Sequence, residues 1–450
     1  MFPTEILLNI FQHLSIYSQR QCLFVCKSWN AAARPFITRL DTNTRRLYGR
    51  NCLFRLARNT LMNTDYGLGI RRLELFLPTK TEHYNIQIDL IHILEGCHNL
   101  AEIIMRMYNP FPLVVCMVER RVDLPHLELI LVDNKAQLLS LGFHYLNLAS
   151  LYKATLNQLA IRIYAGAFSR FLAVDNISAY LQEFVNLKYL SLDTDCPVIL
   201  DSILKACPRL QRLKLQVKLA SFQLRKSGAM DQCSEFQLEV LDMDGHLISH
   251  DVYLYLAKSC KYLVQLILSN PCKQLYPIIS TFHASAQDKS LQIANLTFKD
   301  QFPATAEMLQ DINYWFPTVR QVELSGCNLS SLIDEHHNLL LDFNDLNLDY
   351  LSLDLDPLFN HNHRFLDRVA LELVMDDFTE WWQRDGTAKS RQQFRVRNTK
   401  QYLHPSARQR RIQSNQTAVI TIKAESILTL RLHFLKLDSP LDQTIMPLTQ

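Results

Sequence analysis

The chain of 450 residues has few glycines, and they are far apart. It contains ten, and only Gly67 and Gly69 are separated by fewer than 15 residues. Phosphate-binding loops of the G-x-G-x-x-G and G-x-x-x-x-G-K-[ST] types need glycines close together, because the backbone must approach an anion. The sequence therefore excludes nucleotide-binding enzymes of the common types.

Long apolar runs and paired cysteine motifs are also missing. The longest apolar run, Phe111–Val118, has eight residues and contains Pro112, whereas a membrane-spanning helix needs about 20. The first residues lack the basic segment of a signal peptide. The eleven cysteines include no C-x-x-C pair. We therefore predict buried free thiols in an intracellular protein of the cytoplasm or the nucleus, with no membrane contact.

Charge and catalytic motifs give little sign of an enzyme or a nucleic-acid binder. Forty-seven basic and 44 acidic residues leave a net charge of +3, which does not favour nucleic acid or a membrane surface as a partner. No G-x-S-x-G or H-E-x-x-H motif occurs. The pairs His336-His337 and Asp376-Asp377 fit loops better than a metal site. We expect a non-catalytic protein without a cofactor or a metal.

The first 37 residues have the pattern of three short amphipathic helices. Ile6, Leu7, Ile10, Phe11 and Leu14 recur at helical spacing and form one wide apolar stripe. A segment of this length cannot bury so many large apolar side chains by itself. Part of this surface must therefore contact the next domain or a partner.

This segment resembles an F-box, both in residue types and in their spacing. The pattern begins with Phe2-Pro3 and ends with Val25-Cys26-Lys27 and Trp29, without a gap. F-boxes bind the Skp adaptor of a cullin–RING ubiquitin ligase. The resemblance implies that adaptor docking uses Phe2, Pro3, Glu5, Ile6, Leu7, Ile10, Phe11, Leu14, Val25, Cys26, Lys27 and Trp29. The alternative is an ordinary three-helix cap that uses the same residues as its core.

From residue 70 onward an L-x-x-L-x-L pattern, in which Ile, Val, Met or Phe can replace leucine, returns twelve times at a mean spacing of about 27 residues, which is typical of leucine-rich repeats. Amphipathic segments that begin at Leu90, Ile203 and Leu309 predict helices between these strands. The central apolar residues are Leu73, Ile103, Leu127, Leu159, Leu190, Leu213, Leu241, Leu266, Leu296, Val322, Leu351 and Val369.

The repeats resemble the cysteine-containing leucine-rich repeats that commonly follow an F-box. The resemblance implies an α/β fold, in which a three-helix F-box precedes a leucine-rich-repeat solenoid. Parallel strands would line its concave face, and helices its convex face.

The residues between the repeated leucines should point to the concave face, because side chains alternate along a strand. These positions carry seven basic and nine acidic residues. Such a mixture suits a protein partner better than nucleic acid, which prefers one sign of charge. The alternative is a solvated sheet face without a ligand. The candidate target-binding residues are Arg72, Phe76, Tyr189, Arg212, Lys214, Asp242, Asp244 and Tyr350.

The repeat pattern breaks after Val369, and the next hexamer is Ile427–Leu432. Gly386–Ala424 contains nine basic and no acidic residues, so we predict a mobile, exposed insertion over Lys389–Gln416. It could bind an acidic or phosphorylated target, act as a nuclear-import signal, or have no role. Ala418–Lys423 should re-enter the sheet as a strand.

These observations predict five segments and one function. The segments are an F-box at 1–40, a helical linker at 41–68, leucine-rich repeats at 69–373, a basic insertion at 374–417, and a terminal repeat and tail at 418–450. The predicted function is that of the substrate-recognition subunit of an SCF-type ubiquitin ligase, which brings a target protein to the ligase. The alternative is a repeat scaffold that binds proteins without delivering them for ubiquitination.

Overall fold

A computed structural model describes the chain in segments. Contacts between backbone positions divide the chain into two units, Met1–Cys196 and Pro197–Gln450. Within the described ranges no helix is both long and apolar enough to cross a membrane. The described residues are 6–7, 10–11, 22, 25–27, 29–30, 44–62, 67–77, 90–107, 109–132, 135–163, 174–217, 222–224, 235–244, 247, 249–269, 291–300, 302–316, 318–334, 338–343, 346–354, 368–375, 378–385, 418–433 and 443–447.

The first unit contains six parallel strands that neighbour one another in chain order. They are β1 (Thr44–Tyr48), β2 (Arg72–Leu77), β3 (Glu102–Met107), β4 (Leu129–Val132), β5 (Gln158–Ile163) and β6 (Tyr189–Thr194). Helical segments connect them: α1 (Gly49–Met62), residues 90–95, α2 (Phe111–Arg120), α3 (Lys135–Leu151) and α4 (Val174–Gln182). Segment 41–68, predicted as a helical linker, therefore contains the strand β1 as well as the helix α1.

The second unit repeats this plan with seven parallel strands and a final antiparallel one. Strands and helices are numbered in chain order. The main-sheet strands are β8 (Arg212–Val217), β10 (Val240–Asp244), β11 (Gln265–Ser269), β12 (Asn295–Lys299), β13 (Gln321–Ser325), β16 (Tyr350–Asp354), β21 (Thr429–His433) and β22 (Gln443–Pro447). The helices are α5 (Leu200–Ala206), α6 (His250–Ser259) and α7 (Ala306–Trp315), with a 3₁₀ turn at Ser330–Leu332. The predicted helices at residues 90–95, α5 and α7 are confirmed.

The remaining strands form three further sheets in the second unit. Strand β7 (Val198–Ile199) pairs with β9 (Phe222–Gln223), and β15 (Asn347–Leu348) pairs with β20 (Ser426–Ile427). A four-stranded sheet has the order β14-β19-β17-β18. Its strands are β14 (Leu339–Asp342), β17 (Arg368–Met375), β18 (Phe378–Asp385) and β19 (Ala418–Lys423).

This four-stranded sheet corrects two predictions about the last repeats. Val369 lies in β17 and does not extend the main sheet, because Leu351 of β16 pairs with Leu430 of β21. Ala418–Lys423 is a strand as predicted, but it joins the four-stranded sheet between β14 and β17. The reason is that consecutive strands β14, β15 and β16 pair with β19, β20 and β21 respectively. Residues 386–417, which include the predicted Lys389–Gln416 insertion, lie outside the described residues.

Buried apolar side chains define the register of each main sheet. From β2 to β21 the second residue of every main-sheet strand is apolar and buried, and ten of the twelve predicted central residues occupy this position. In β4 the second residue of the strand is Ile130, which pairs with Ile103. The predicted central residue, Leu127, lies outside β4. Leu127 is the buried leucine of the turn before the strand, so the L-x-x-L-x-L pattern fits this region in two frames.

A periodic backbone contact joins successive repeats within each unit. The carbonyl of Arg71 accepts the N–H groups of both Ala101 and Glu102, and the carbonyl of Ala101 accepts those of Glu128 and Leu129. Each acceptor follows the one before it by 25 to 30 residues. The acceptors are Arg71, Ala101, Glu128 and Asn157 in the first unit, and Gln211, Glu239, Val264, Ala294 and Arg320 in the second. Both units are therefore solenoid-like stacks of one repeating unit.

Polar side chains in the turns add a second link between repeats. Asn99 donates to the carbonyl of Leu68 at 2.8 Å, and Asn186 donates to that of Ala154 at 2.7 Å. The hydroxyl of Thr155 donates to the carbonyl of Leu127 at 2.6 Å. These bonds satisfy carbonyl groups where the chain turns into a strand.

The described cysteines are free thiols, and six of them are buried, which confirms the sequence-based prediction for these positions. Burial raises the pKa of Cys97, Cys207 and Cys260 to about 12, because an apolar environment disfavours the thiolate. The buried cysteines are Cys22, Cys97, Cys196, Cys207, Cys260 and Cys327.

Gly67 marks a close approach between two repeats and provides a test of this packing. A Cβ at Gly67 would lie 1.9 Å from the carbonyl oxygen of Gly96, so the backbone at one of these two positions would have to shift. We predict that Gly67→Ala lowers the free energy of unfolding by about 2 kcal/mol. Urea denaturation measures this change. Gly326→Ala, where φ is 62° and no atom lies within 4 Å of the added Cβ, should cost only about 1 kcal/mol. Equal losses would contradict the close approach at Gly67.

Candidate protein-interaction surfaces

The described part of the N-terminal segment has a small core. Leu7 and Phe11 are 2% and 0% exposed, and Cys22 is also buried. The ring of Trp29 meets that of Phe11 edge to face, with 5.5 Å between the centroids. This geometry is favourable for two aromatic rings, so Trp29 helps to enclose Phe11.

Other apolar side chains of this segment point to the surface. Ile6 is 46% exposed, Ile10 is 40% exposed and Val25 is 60% exposed. Ile6 and Ile10 are four residues apart on one helix face, where side chains are neighbours. Cys26 and Lys27 are exposed beside Val25. We call Ile6, Ile10 and Val25 the exposed apolar strip of this segment, and a folded partner could cover these side chains.

The structure thus divides the twelve predicted adaptor-binding residues into groups. Leu7 and Phe11 are buried, whereas Ile6 and Ile10 of the predicted stripe are exposed. Trp29 is half-buried. Four further predicted residues lie outside the described residues: Phe2, Pro3, Glu5 and Leu14.

A buried carboxylate organises the first strands of the first unit. Glu74 is 3% exposed and accepts from Nε of Arg46 at 3.1 Å and from Nε of Arg72 at 2.8 Å. A terminal N–H of Arg72 also donates to Glu102 at 2.9 Å. These side chains lie on the sheet face opposite the buried leucines, which we call the open face. Because a carboxylate can be buried only when it is paired, Glu74 holds both guanidinium groups in place.

An aromatic row lies beside this cluster on the open face. The register places Tyr48, Phe76 and Arg106 opposite one another on β1, β2 and β3. The rings of Tyr48 and Phe76 stack at 4.6 Å and 17°, and the Arg106 guanidinium lies 5.1 Å from the centroid of Phe76. Tyr48 is 58% exposed. Tyr189 on β6 is half-buried and belongs to a different part of this face.

The open face of the second unit carries a smaller charge cluster. The Asp242 carboxylate lies 2.7 Å from Nζ of Lys299 and 3.6 Å from Nζ of Lys214. Asp244 is 4% exposed and accepts from the Ser269 hydroxyl at 3.0 Å. The structure therefore corrects the prediction for Asp244, which is buried in the sheet and not presented to a partner.

The remaining predicted residues of this face are spread out. Arg212 is exposed on β8, and Tyr350 is half-buried on β16. In the part of the chain that the structure describes, no three His, Cys, Asp or Glu side chains lie together as a metal site. Sequence reasoning missed Arg46 and Tyr48, because β1 lacks the leucine pattern of the other strands. The only available signal was the polar–apolar–aromatic alternation Arg46-Leu47-Tyr48.

The pairing of Glu74 predicts that removing its arginine partners costs more stability than removing the carboxylate itself. Replacing Arg46 and Arg72 together with methionine leaves a buried carboxylate unpaired, which should cost about 3 kcal/mol of stability. Glu74→Gln leaves two arginines that water can reach, and this change should cost only about 1 kcal/mol. Urea denaturation of both variants measures the difference. A larger loss for Glu74→Gln would show that the arginines, and not the carboxylate, need the pairing.

Comparison with known proteins identifies the N-terminal segment. Residues 2–40 match the F-box-like family. No curated protein sequence matches the chain. Twenty-four chains of solved structures match it. One of them belongs to the crystal structure of the Rad7 and Elc1 complex in yeast, with 14% identity and a TM-score of 0.36, over 75% of this chain and 90% of that chain. Residues 2–40 are an F-box-like domain.

Proposed function

We propose that the protein is the substrate-recognition subunit of an SCF-type E3 ubiquitin ligase. Its F-box-like domain binds the Skp adaptor and, through it, a cullin–RING ligase. Its leucine-rich repeats bind a target protein. It acts inside the cell, in the cytoplasm, the nucleus or both.

The observation that carries this proposal is the exposed apolar strip on an F-box-like domain. Ile6, Ile10 and Val25 stay largely exposed while Leu7 and Phe11 fill the core. Exposed large apolar side chains on a small domain with its own core favour a protein–protein contact. An adaptor helix packed on this strip would bury these side chains.

The repeats supply the second half of the proposal. Their open faces carry ion pairs and aromatic side chains, including Arg72, Lys214 and the half-buried Phe76. Surfaces of this composition suit protein partners, because paired charges give specificity and aromatic side chains give affinity.

The proposed mechanism is proximity, and no group of this chain takes part in bond formation. A target held on the repeats meets the ubiquitin-conjugating enzyme at a high effective concentration, which turns a bimolecular reaction into an intramolecular one. The protein needs no cofactor or metal for this role. A scaffold would bind the same proteins and the adaptor, but a reconstituted ligase would not ubiquitinate them.

Ile10→Asp tests the adaptor contact. A carboxylate placed in a desolvated apolar interface should cost on the order of 2 kcal/mol or more, which is roughly thirtyfold in affinity. The measurement is the dissociation constant for purified Skp adaptor by calorimetry.

The matched control is Leu68→Asp, since Leu68 is 41% exposed and lies outside the F-box-like domain. It should bind the adaptor as the wild type does. Circular dichroism must show that both variants fold. If Ile10→Asp bound the adaptor normally, the F-box-like domain would not dock through this strip.

Alkylation of Cys26 gives an independent test of the same contact. Cys26 is exposed, whereas burial raises the pKa of Cys97 and Cys207 to about 12. At pH 8 such a thiol is a reactive thiolate in only about one molecule in ten thousand. Iodoacetamide should therefore label Cys26 well before these two, as measured by mass spectrometry of tryptic peptides. Bound adaptor should slow the labelling of Cys26; unchanged labelling in the complex would place the contact elsewhere.

A further inference from the structure

We propose that the open face of β1, β2 and β3 binds an acidic peptide segment that carries an aromatic or large apolar side chain. This inference rests on the proposed function, because it names the chemistry of the target that the repeats recognise. The site consists of Tyr48, Phe76, Arg106, Arg46 and Arg72, all within the first unit.

The aromatic part of the site is a ready platform. Tyr48 and Phe76 stack at 4.6 Å, and Arg106 covers Phe76 at 5.1 Å. Tyr48 nevertheless stays 58% exposed at the end of the row. A stacked pair has lost its side-chain freedom before binding, so a partner gains contact area at little entropic cost. Tyrosine and arginine are also the side chains that most often dominate binding energy at protein interfaces.

The charged part of the site is held ready by a carboxylate beneath it. Glu74 is buried and accepts from Arg46 and Arg72, so it fixes two guanidinium groups and exposes almost none of its own charge. The Arg46 side chain remains 60% exposed and that of Arg72 40% exposed. The guanidinium of Arg46 has five N–H donors, and it uses one of them in its hydrogen bond to Glu74.

The charge of this face selects the partner. The charged side chains of the site are those of Arg46, Arg72 and Arg106 and, of opposite sign, those of Glu74 and Glu102. The Glu74 side chain is 3% exposed and that of Arg46 is 60% exposed, so the charge that a partner can reach at this pair is mainly that of a guanidinium, which complements carboxylates. A basic segment would meet the exposed guanidinium of Arg46 and is disfavoured.

Single-stranded nucleic acid also stacks on aromatic side chains next to basic ones. Its affinity depends on many phosphate contacts along a groove of one sign. Here Glu102 lies on the same face, and its side chain is 36% exposed. Asp193 on β6 also lies on the open face, and its side chain is 18% exposed. An acidic peptide needs only two or three carboxylates, which a cluster of this size can satisfy.

The test selects peptides on the intact protein. A displayed library of random peptides of about a dozen residues is panned on the full chain and, separately, on Tyr48→Ala and Arg106→Glu variants. These two substitutions leave both hydrogen bonds of Glu74 in place. The control is Lys153→Glu, which makes the same change of charge in an exposed ion pair with Glu183 of the same unit. Circular dichroism checks that each variant folds.

We expect the wild type to enrich peptides rich in Asp and Glu that also contain an aromatic or large apolar residue. Synthetic copies should lose roughly tenfold in affinity with either variant at the site, should bind the control within a factor of about two, and should weaken as salt rises. Enrichment of basic or neutral peptides, equal affinity for all variants, or no enrichment would overturn the proposal. So would an oligothymidylate probe that binds more tightly than the selected peptides and depends on Tyr48 and Arg106.

The outcome is separable from that of the proposed function. Peptide selection requires no adaptor, cullin or ubiquitin, so it can succeed even if Ile10→Asp has no effect on adaptor binding. Conversely, adaptor binding by Tyr48→Ala and Arg106→Glu should equal that of the wild type, since Tyr48 and Arg106 lie outside residues 2–40. If the peptide site fails while the adaptor binds, the target surface lies elsewhere on the repeats.

Discussion

One backbone contact governs both units of this protein: a carbonyl before each strand accepts two successive N–H groups from the next repeat. The contact fixes how far each repeat is shifted along its neighbour. Since side chains alternate along a strand, a shift by one residue would exchange the buried leucines with the polar side chains of the open face. The leucines, the turn asparagines and the turn threonines all reinforce the same register. Chain order and strand order therefore coincide, apart from the strands of the three smaller sheets.

The fixed register is also what creates the candidate binding surfaces. Residues far apart in sequence meet because they hold the same position in neighbouring repeats. Tyr48, Phe76 and Arg106 form one row for this reason, and Lys214 lies opposite Asp242. The long side chain of Lys299 reaches Asp242 from two strands away. Burial then separates supporting residues from available ones: Glu74 and Asp244 stabilise the sheet, whereas Tyr48 and Arg212 remain accessible.

Much of this could be predicted from the sequence, because the leucine pattern directly reports burial. The helices between strands and ten of twelve central residues follow from spacing. The F-box-like segment follows from a resemblance in residue types and spacing, and the buried cysteines from the absence of paired cysteine motifs. Three features could not be predicted. Leu127 and Ile130 both satisfy the pattern, and only strand pairing distinguishes them. Strand β1 has the single buried Leu47 and no repeat motif, so its aromatic and arginine side chains were not recognised. The four-stranded sheet depends on pairing between segments about 80 residues apart in sequence, which no local pattern contains.

The central claim is that one chain joins an adaptor-binding domain to a protein-binding repeat surface, so that captured proteins are delivered for ubiquitination. The most direct measurement is affinity purification from cells of the wild type and of Ile10→Asp, followed by mass spectrometry of the captured proteins and of their ubiquitin-modified lysines. The account predicts that both chains capture the same target proteins, that only the wild type co-purifies the adaptor and the cullin, and that ubiquitin on those targets falls sharply with Ile10→Asp. Equal ubiquitin modification of the captured proteins with both chains would contradict it.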